Sequence, residues 1–187
     1  MEEAKNIISE EFRKWLIEVV YKEQHYFTVW GSDRTDNDND KWLVDEVDRM
    51  MFISDVTELR NLLMADTYFF DNENLKKWIN HPGWKAIPDN LLDLDLLVRE
   101  GFNHLHPLLD DLYILIGLIE DFAIQRNEEG MMALFRSDLF MQFKDEAANT
   151  FLWAGQDEFD KNFDFTTLMK ECHNIHRDLS GKISFMN

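Results

Sequence analysis

The sequence predicts an α+β fold: a mostly helical single domain, residues 1–187, with a small, mainly antiparallel sheet in the N-terminal half. Three observations carry this. Apolar residues recur at three- and four-residue spacing over long stretches in the second half. Aromatic and β-branched runs gather between residues 26 and 54. A chain of 187 residues is 45% hydrophobic and holds one cysteine. That length suits one domain, and its core needs no disulfide framework.

Taking the elements in order, Ala4, Ile7, Ile8, Phe12, Trp15, Leu16 and Val19 predict an amphipathic helix over 3–22. Tyr26–Trp30 reads as a strand, Gly31–Asp40 as a polar connection, Trp42–Val44 as the returning strand and Met50–Ser54 as a third. Asp55 and Glu58 stand at capping-box spacing before a helix over 56–65. Asp71 is placed to cap a short helix carrying Leu75, Trp78 and Ile79, which His81-Pro82-Gly83 stops. Leu92–Leu96 alternates as a strand does. Residues 105–126 form the clearest helix, with Pro107 in its first turn. A helix-like stretch over 131–154 is expected to break near Ser137-Asp138. A last helix runs over about 165–179, with Gly181 ending it in the left-handed conformation.

Charge is the most informative global feature. Thirty-seven acidic and 19 basic residues leave a net charge of −18. Residues 86–160 alone hold 16 acidic and four basic side chains, net −12. Such a chain repels nucleic acid, itself a dense anion. It attracts cationic protein surfaces by electrostatic steering. The longest uncharged apolar stretch, Leu112–Ile119, is far shorter than the roughly 20 residues that cross a bilayer. The acidic N-terminus lacks a basic-then-apolar export signal, so cytoplasm is the expected compartment.

Motifs for chemistry are sparse. Asp36, Asp38 and Asp40 alternate like ligands of a calcium loop, but Lys41 stands at the template's glycine and Val47 at its glutamate. Trp30 and Trp42 flank this loop, as aromatic anchors flank charges at protein interfaces. Asp157, Glu158 and Asp160 form a second acidic group. His104, His106, Cys172 and His176 are metal-ligand types in two segments; Cys172 and His176 share a helix face. No serine sits in a Gly-x-Ser-x-Gly elbow, and no glycine-rich phosphate loop occurs.

These features favour a non-enzymatic acidic binding protein. It would neutralise a basic protein partner, such as a toxin, in the manner of immunity proteins or nucleic-acid mimics. No cofactor and no metal is expected. The expected contacts are Asp36, Asp38, Asp40, Trp30, Trp42, Asp157, Glu158 and Asp160. The alternatives are a metal-dependent hydrolase built on histidine and carboxylate ligands, or a subunit of a larger assembly.

Overall fold

The computed structural model describes residues 7–65, 68–152 and 159–186. Among the described residues, seven helices and a six-stranded sheet make an α+β protein, 48% helical and 20% strand. The backbone groups into two compact units, residues 1–92 with 182–187 and residues 93–181. The second is inserted in the chain between the last two strands of the first.

The first helix, α1 (Ile7–Phe12), is short. Arg13 turns left-handed (φ 54°), and the chain enters strand β1 (Lys14–Tyr21). The helix expected over 3–22 is therefore corrected. Ile17, Val19 and Val20 are β-branched and suit a strand. Lys22 and Glu23, both at positive φ, supply a two-residue hairpin turn into β2 (Gln24–Asp33). Antiparallel pairing along all of β1, from Lys14↔Gly31 to Tyr21↔Gln24, overrides the helical spacing. Gly31 is required at that junction, because an added Cβ would lie 2.2 Å from the Arg13 carbonyl oxygen.

Strand β3 (Asn39–Trp42) pairs with β2, and β4 (Met50–Ile53) is wholly buried. Helix α2 (Val56–Ala65) starts where expected: the Asp55 carboxylate accepts from the Thr57 and Glu58 amides at 2.7 and 3.2 Å. Helix α3 (Asn72–Ile79) ends ahead of Pro82. Leu59, Leu63, Leu75 and Trp78 from these helices close over Leu16, Val29, Met51 and Ile53 of the sheet.

Strands β5 (Asn90–Asp93) and β6 (Ile183–Met186) complete the order β5-β1-β2-β4-β6, with β3 also on β2. β6 runs parallel to β4, Met50 opposite Ile183. The sheet is thus mixed, and it draws a strand from the C-terminal end. The expectation of a mainly antiparallel sheet confined to the N-terminal half is corrected. A parallel partner must come from a crossover, and local periodicity carries no sign of which distant segment supplies it.

In the second unit a 3-10 turn (Leu94–Val98) follows β5, so the Leu92–Leu96 alternation is only half strand. Helix α4 spans Leu109–Gln125 and leaves Pro107 in the approach to it. Helices α5 (Glu129–Phe135) and α6 (Asp138–Ala147) meet at the predicted break, and a π-helical turn (Ala148–Leu152) follows. Helix α7 (Phe165–Leu179) opens on Asp164, whose side chain accepts from the Thr167 amide at 3.0 Å. It ends on Ser180 in right-handed geometry. Gly181 does not take the expected left-handed conformation; among the described glycines Gly101 alone does (φ 87°). Phe143, Phe159, Phe163 and Phe165 form an aromatic cluster with ring centroids 4.9–5.9 Å apart.

Candidate functional site

The acidic loop is the turn between β2 and β3. Trp30 pairs with Trp42 and Ser32 with Asp40 across it, and Asn37 and Asp38 take left-handed turn conformations. Asp33, unremarked in the sequence, is its anchor. Its carboxylate is buried and accepts from the Thr35 amide (2.9 Å), the Thr35 hydroxyl (2.6 Å) and Lys41 Nζ (2.8 Å). Burial raises the Asp33 pKa, but the bonds from Lys41 and Thr35 outweigh it and hold the group below its ordinary value. Lys41 also reaches Asp36 at 2.7 Å, and that bond lowers the Asp36 pKa. Arg13 lies 3.4 Å from Asp38, and the Ser32 hydroxyl donates to Asp40 at 2.6 Å.

The three aspartates are therefore already engaged within the protein. Their spacing builds a self-bonded turn, and much of its field is cancelled by Lys41 and Arg13. Trp42 is 1% exposed and belongs to the core. Trp30 is half-buried against Trp15, ring centroids 5.1 Å apart. Asp160, in the second unit, accepts from the Asn162 amide at 2.9 Å. Asp157 and Glu158 lie outside the described residues.

Beside the hairpin sits a buried ion pair that the sequence reading missed. Lys14, 0% exposed, bonds Asp71 Oδ2 at 2.7 Å, donates to the Ser32 carbonyl and lies 5.4 Å from the Phe70 ring centroid. Desolvation lowers its pKa against the opposing pull of Asp71. Asp71 does stand at the start of α3, but it sits at φ 44° and its side chain caps no helix amide. It bonds Lys14 and the Asn74 side chain instead. The available signal was a lysine opening an apolar strand, directly before Trp15-Leu16-Ile17. A cleft of about 630 Å³ opens here, with Asp33, Asp71 and Glu73 set against Arg34 and Lys77 in its lining. Its charges nearly balance, so it selects neither sign of ligand.

The second unit differs. Residues 93–181 hold 18 acidic and seven basic side chains, net −11. Asp110 and Asp111 occupy the first turn of α4, both exposed. Burial, then the charges of Asp110 and Asp93, push the Asp111 pKa up, even though a helix N-terminus ordinarily favours carboxylates. Ile114, one turn on, is 53% exposed, and Ile124 near the far end is 54% exposed. The outer face of α4 thus mixes carboxylates with uncovered apolar side chains.

The histidines and the cysteine are dispersed. Cys172 is buried, and desolvation pushes its thiol up to about 12, so it supplies no thiolate. His106 stacks on Phe102 at 4.0 Å and accepts from the Leu108 amide through Nδ1. His176 Nε2 lies 4.0 Å from Asp95. Among the described residues no three His, Cys, Asp or Glu side chains gather as metal ligands do. No described helix is long and apolar enough to cross a membrane.

No protein-family model and no curated protein matches the chain. One solved structure, the C-terminal domain of SatS in complex with bromine, matches with a TM-score of 0.65. The identity is 9%, over 97% of this chain and 98% of that one. At that identity the likeness shows the fold alone.

Proposed function

We propose that this protein is a non-enzymatic acidic binding module that neutralises or sequesters a cationic protein partner, with residues 1–187 acting as one α+β domain. The observation that supports the reading is the outer face of α4. There Asp110 and Asp111 stand side by side, partial burial and then the charges of Asp110 and Asp93 raise the Asp111 pKa, and Ile114 is exposed beside them. Carboxylates held near one another against their own repulsion form a ready counter-surface for lysine and arginine. An exposed isoleucine among them supplies apolar area once the partner has been steered in. The hairpin of Asp36, Asp38 and Asp40 is a secondary contact, since its carboxylates are partly neutralised by Lys41 and Arg13. The compartment consistent with this reading is the cytoplasm.

The immobilised protein, exposed to lysate of its source at low salt, is expected to capture a basic protein that physiological salt releases. The charge-reversed D110K/D111K variant is expected to lose most of that capture. Retention that ignores both salt and the reversal would refute the proposal.

A further inference from the structure

Strand β6 ends the sheet, and among the described residues β4 is the one strand it pairs with. The Met50 amide donates to the Lys182 carbonyl at 2.8 Å, and the Ser54 amide to the Met186 carbonyl at 3.2 Å. Along a strand, alternate residues turn their N–H and C=O to the same neighbour. Lys182, Ser184 and Met186 therefore face β4, and the main-chain groups of Ile183 and Phe185 face away from it. Ile183 is buried, whereas Phe185 is 44% exposed, so the edge opens at Phe185. Ile183-Ser184-Phe185-Met186 holds no proline or charged residue, the usual devices that keep other strands off an edge.

Both faces of this edge carry exposed apolar surface. On one, the Phe185 ring leans on Tyr26 and Tyr21, with centroids 5.0 and 5.9 Å away. On the other, Met186 is 39% exposed and lines a groove of about 350 Å³ with Ile53, Leu62, Ala65, Asn61 and Glu58. Glu58 is the one charged side chain in that lining. It is exposed, and Asp55, next to the Ser54 that bonds Met186, adds a second exposed carboxylate. Arg60, the basic residue nearest to Glu58 in the chain, lies over the Trp84 ring instead.

We infer that the open edge of β6 takes an extended segment of a cationic protein, added antiparallel as a further strand. In that pairing one apolar residue of the segment stands opposite Phe185 and exchanges both main-chain bonds with it. The residues on either side of it project over the Met186 groove. There a lysine or arginine lays its stem on Leu62 and Met186 and brings its head to Glu58. Main-chain bonds supply affinity, and the alternating side-chain contacts supply selectivity. Glu58 and the net charge of −18 favour such a segment over a second copy of this chain, which is repelled by its own charge. The inference rests on the proposed cationic partner and adds a main-chain contact in the first unit.

The probe is the peptide acetyl-Val-Lys-Val-Lys-Val-amide, titrated into the full isotope-labelled chain and followed by NMR. Saturable binding that shifts the Phe185 amide and slows its hydrogen exchange is expected. The analogue with N-methylated valines, which lacks the donors aimed at β6, is expected to bind about tenfold or more weakly. F185P removes the outward N–H and leaves the β4 ladder in place, so it is expected to lose binding, while F185A keeps most of it. E58K is expected to weaken the peptide about tenfold, with most of that loss gone at high salt. Equal binding of the methylated analogue, undiminished binding in F185P, or no saturable binding at millimolar peptide would each overturn the inference. So would a dimer of the free chain that F185P dissolves, because the occupant would then be a second copy. Any of these results alongside salt-released capture that D110K/D111K abolishes would overturn this inference and leave the acidic-module reading standing.

Discussion

Lys14 shows how a single side chain ties distant segments together. Its ammonium joins the start of β1 to Asp71, 57 positions away, and to the Ser32 carbonyl. A buried pair gains little over a matched apolar pair, yet breaking it strands a charge. Lys14→Met is therefore expected to destabilise the protein by about 3–5 kcal/mol, and K14M/D71N to recover much of that, by urea denaturation. Cys172 makes a second residue-level prediction. Its buried thiol, pushed up to about 12, is expected to resist a thiol reagent at mildly alkaline pH until denaturant exposes it. Rapid labelling of the native protein would contradict that.

At the scale of elements, the first turn of α4 sets stability against charge. The folded pKa of Asp111 lies above its ordinary value of 3.8. Between the two values the native state holds the proton more tightly, so stability falls as pH rises through that window. Asp111→Asn is thus expected to stabilise the protein at neutral pH by less than about 1 kcal/mol given solvent screening, as read by urea denaturation. The gain should close below pH 3.8. An equal gain at every pH would show that the ionised form of Asp111, disfavoured by partial burial and by Asp110 and Asp93, is not its source. The elements also differ in how openly the sequence announces them. The start of α2 was legible because Asp55 caps it within three residues, and α7 was legible from the apolar spacing of Phe165, Leu168, Cys172, Ile175 and Leu179. β1 was not, because Ala4, Ile7, Ile8, Phe12, Trp15, Leu16 and Val19 fit a helix until β2 offers its ladder of hydrogen bonds.

For the whole molecule, a net charge of −18 opposes compaction. Raising ionic strength from the low-millimolar range to about 150 mM screens that repulsion beyond roughly 8 Å. The melting temperature is expected to rise over that range; a fall would mean that ion pairs such as Lys41–Asp33 outweigh the repulsion. By itself the sequence determined the surplus of carboxylates, the α+β class, the strand at Met50–Ile53 and the break at Ser137. Composition and short-range capping fix each of these. Only the tertiary structure decided that β6 joins β4, that Lys41 and Arg13 engage the hairpin aspartates, and that the Asp71 side chain serves Lys14 rather than capping its own helix. Strand partners and counterions are chosen across the chain by burial and hydrogen bonding, and no local pattern encodes that choice.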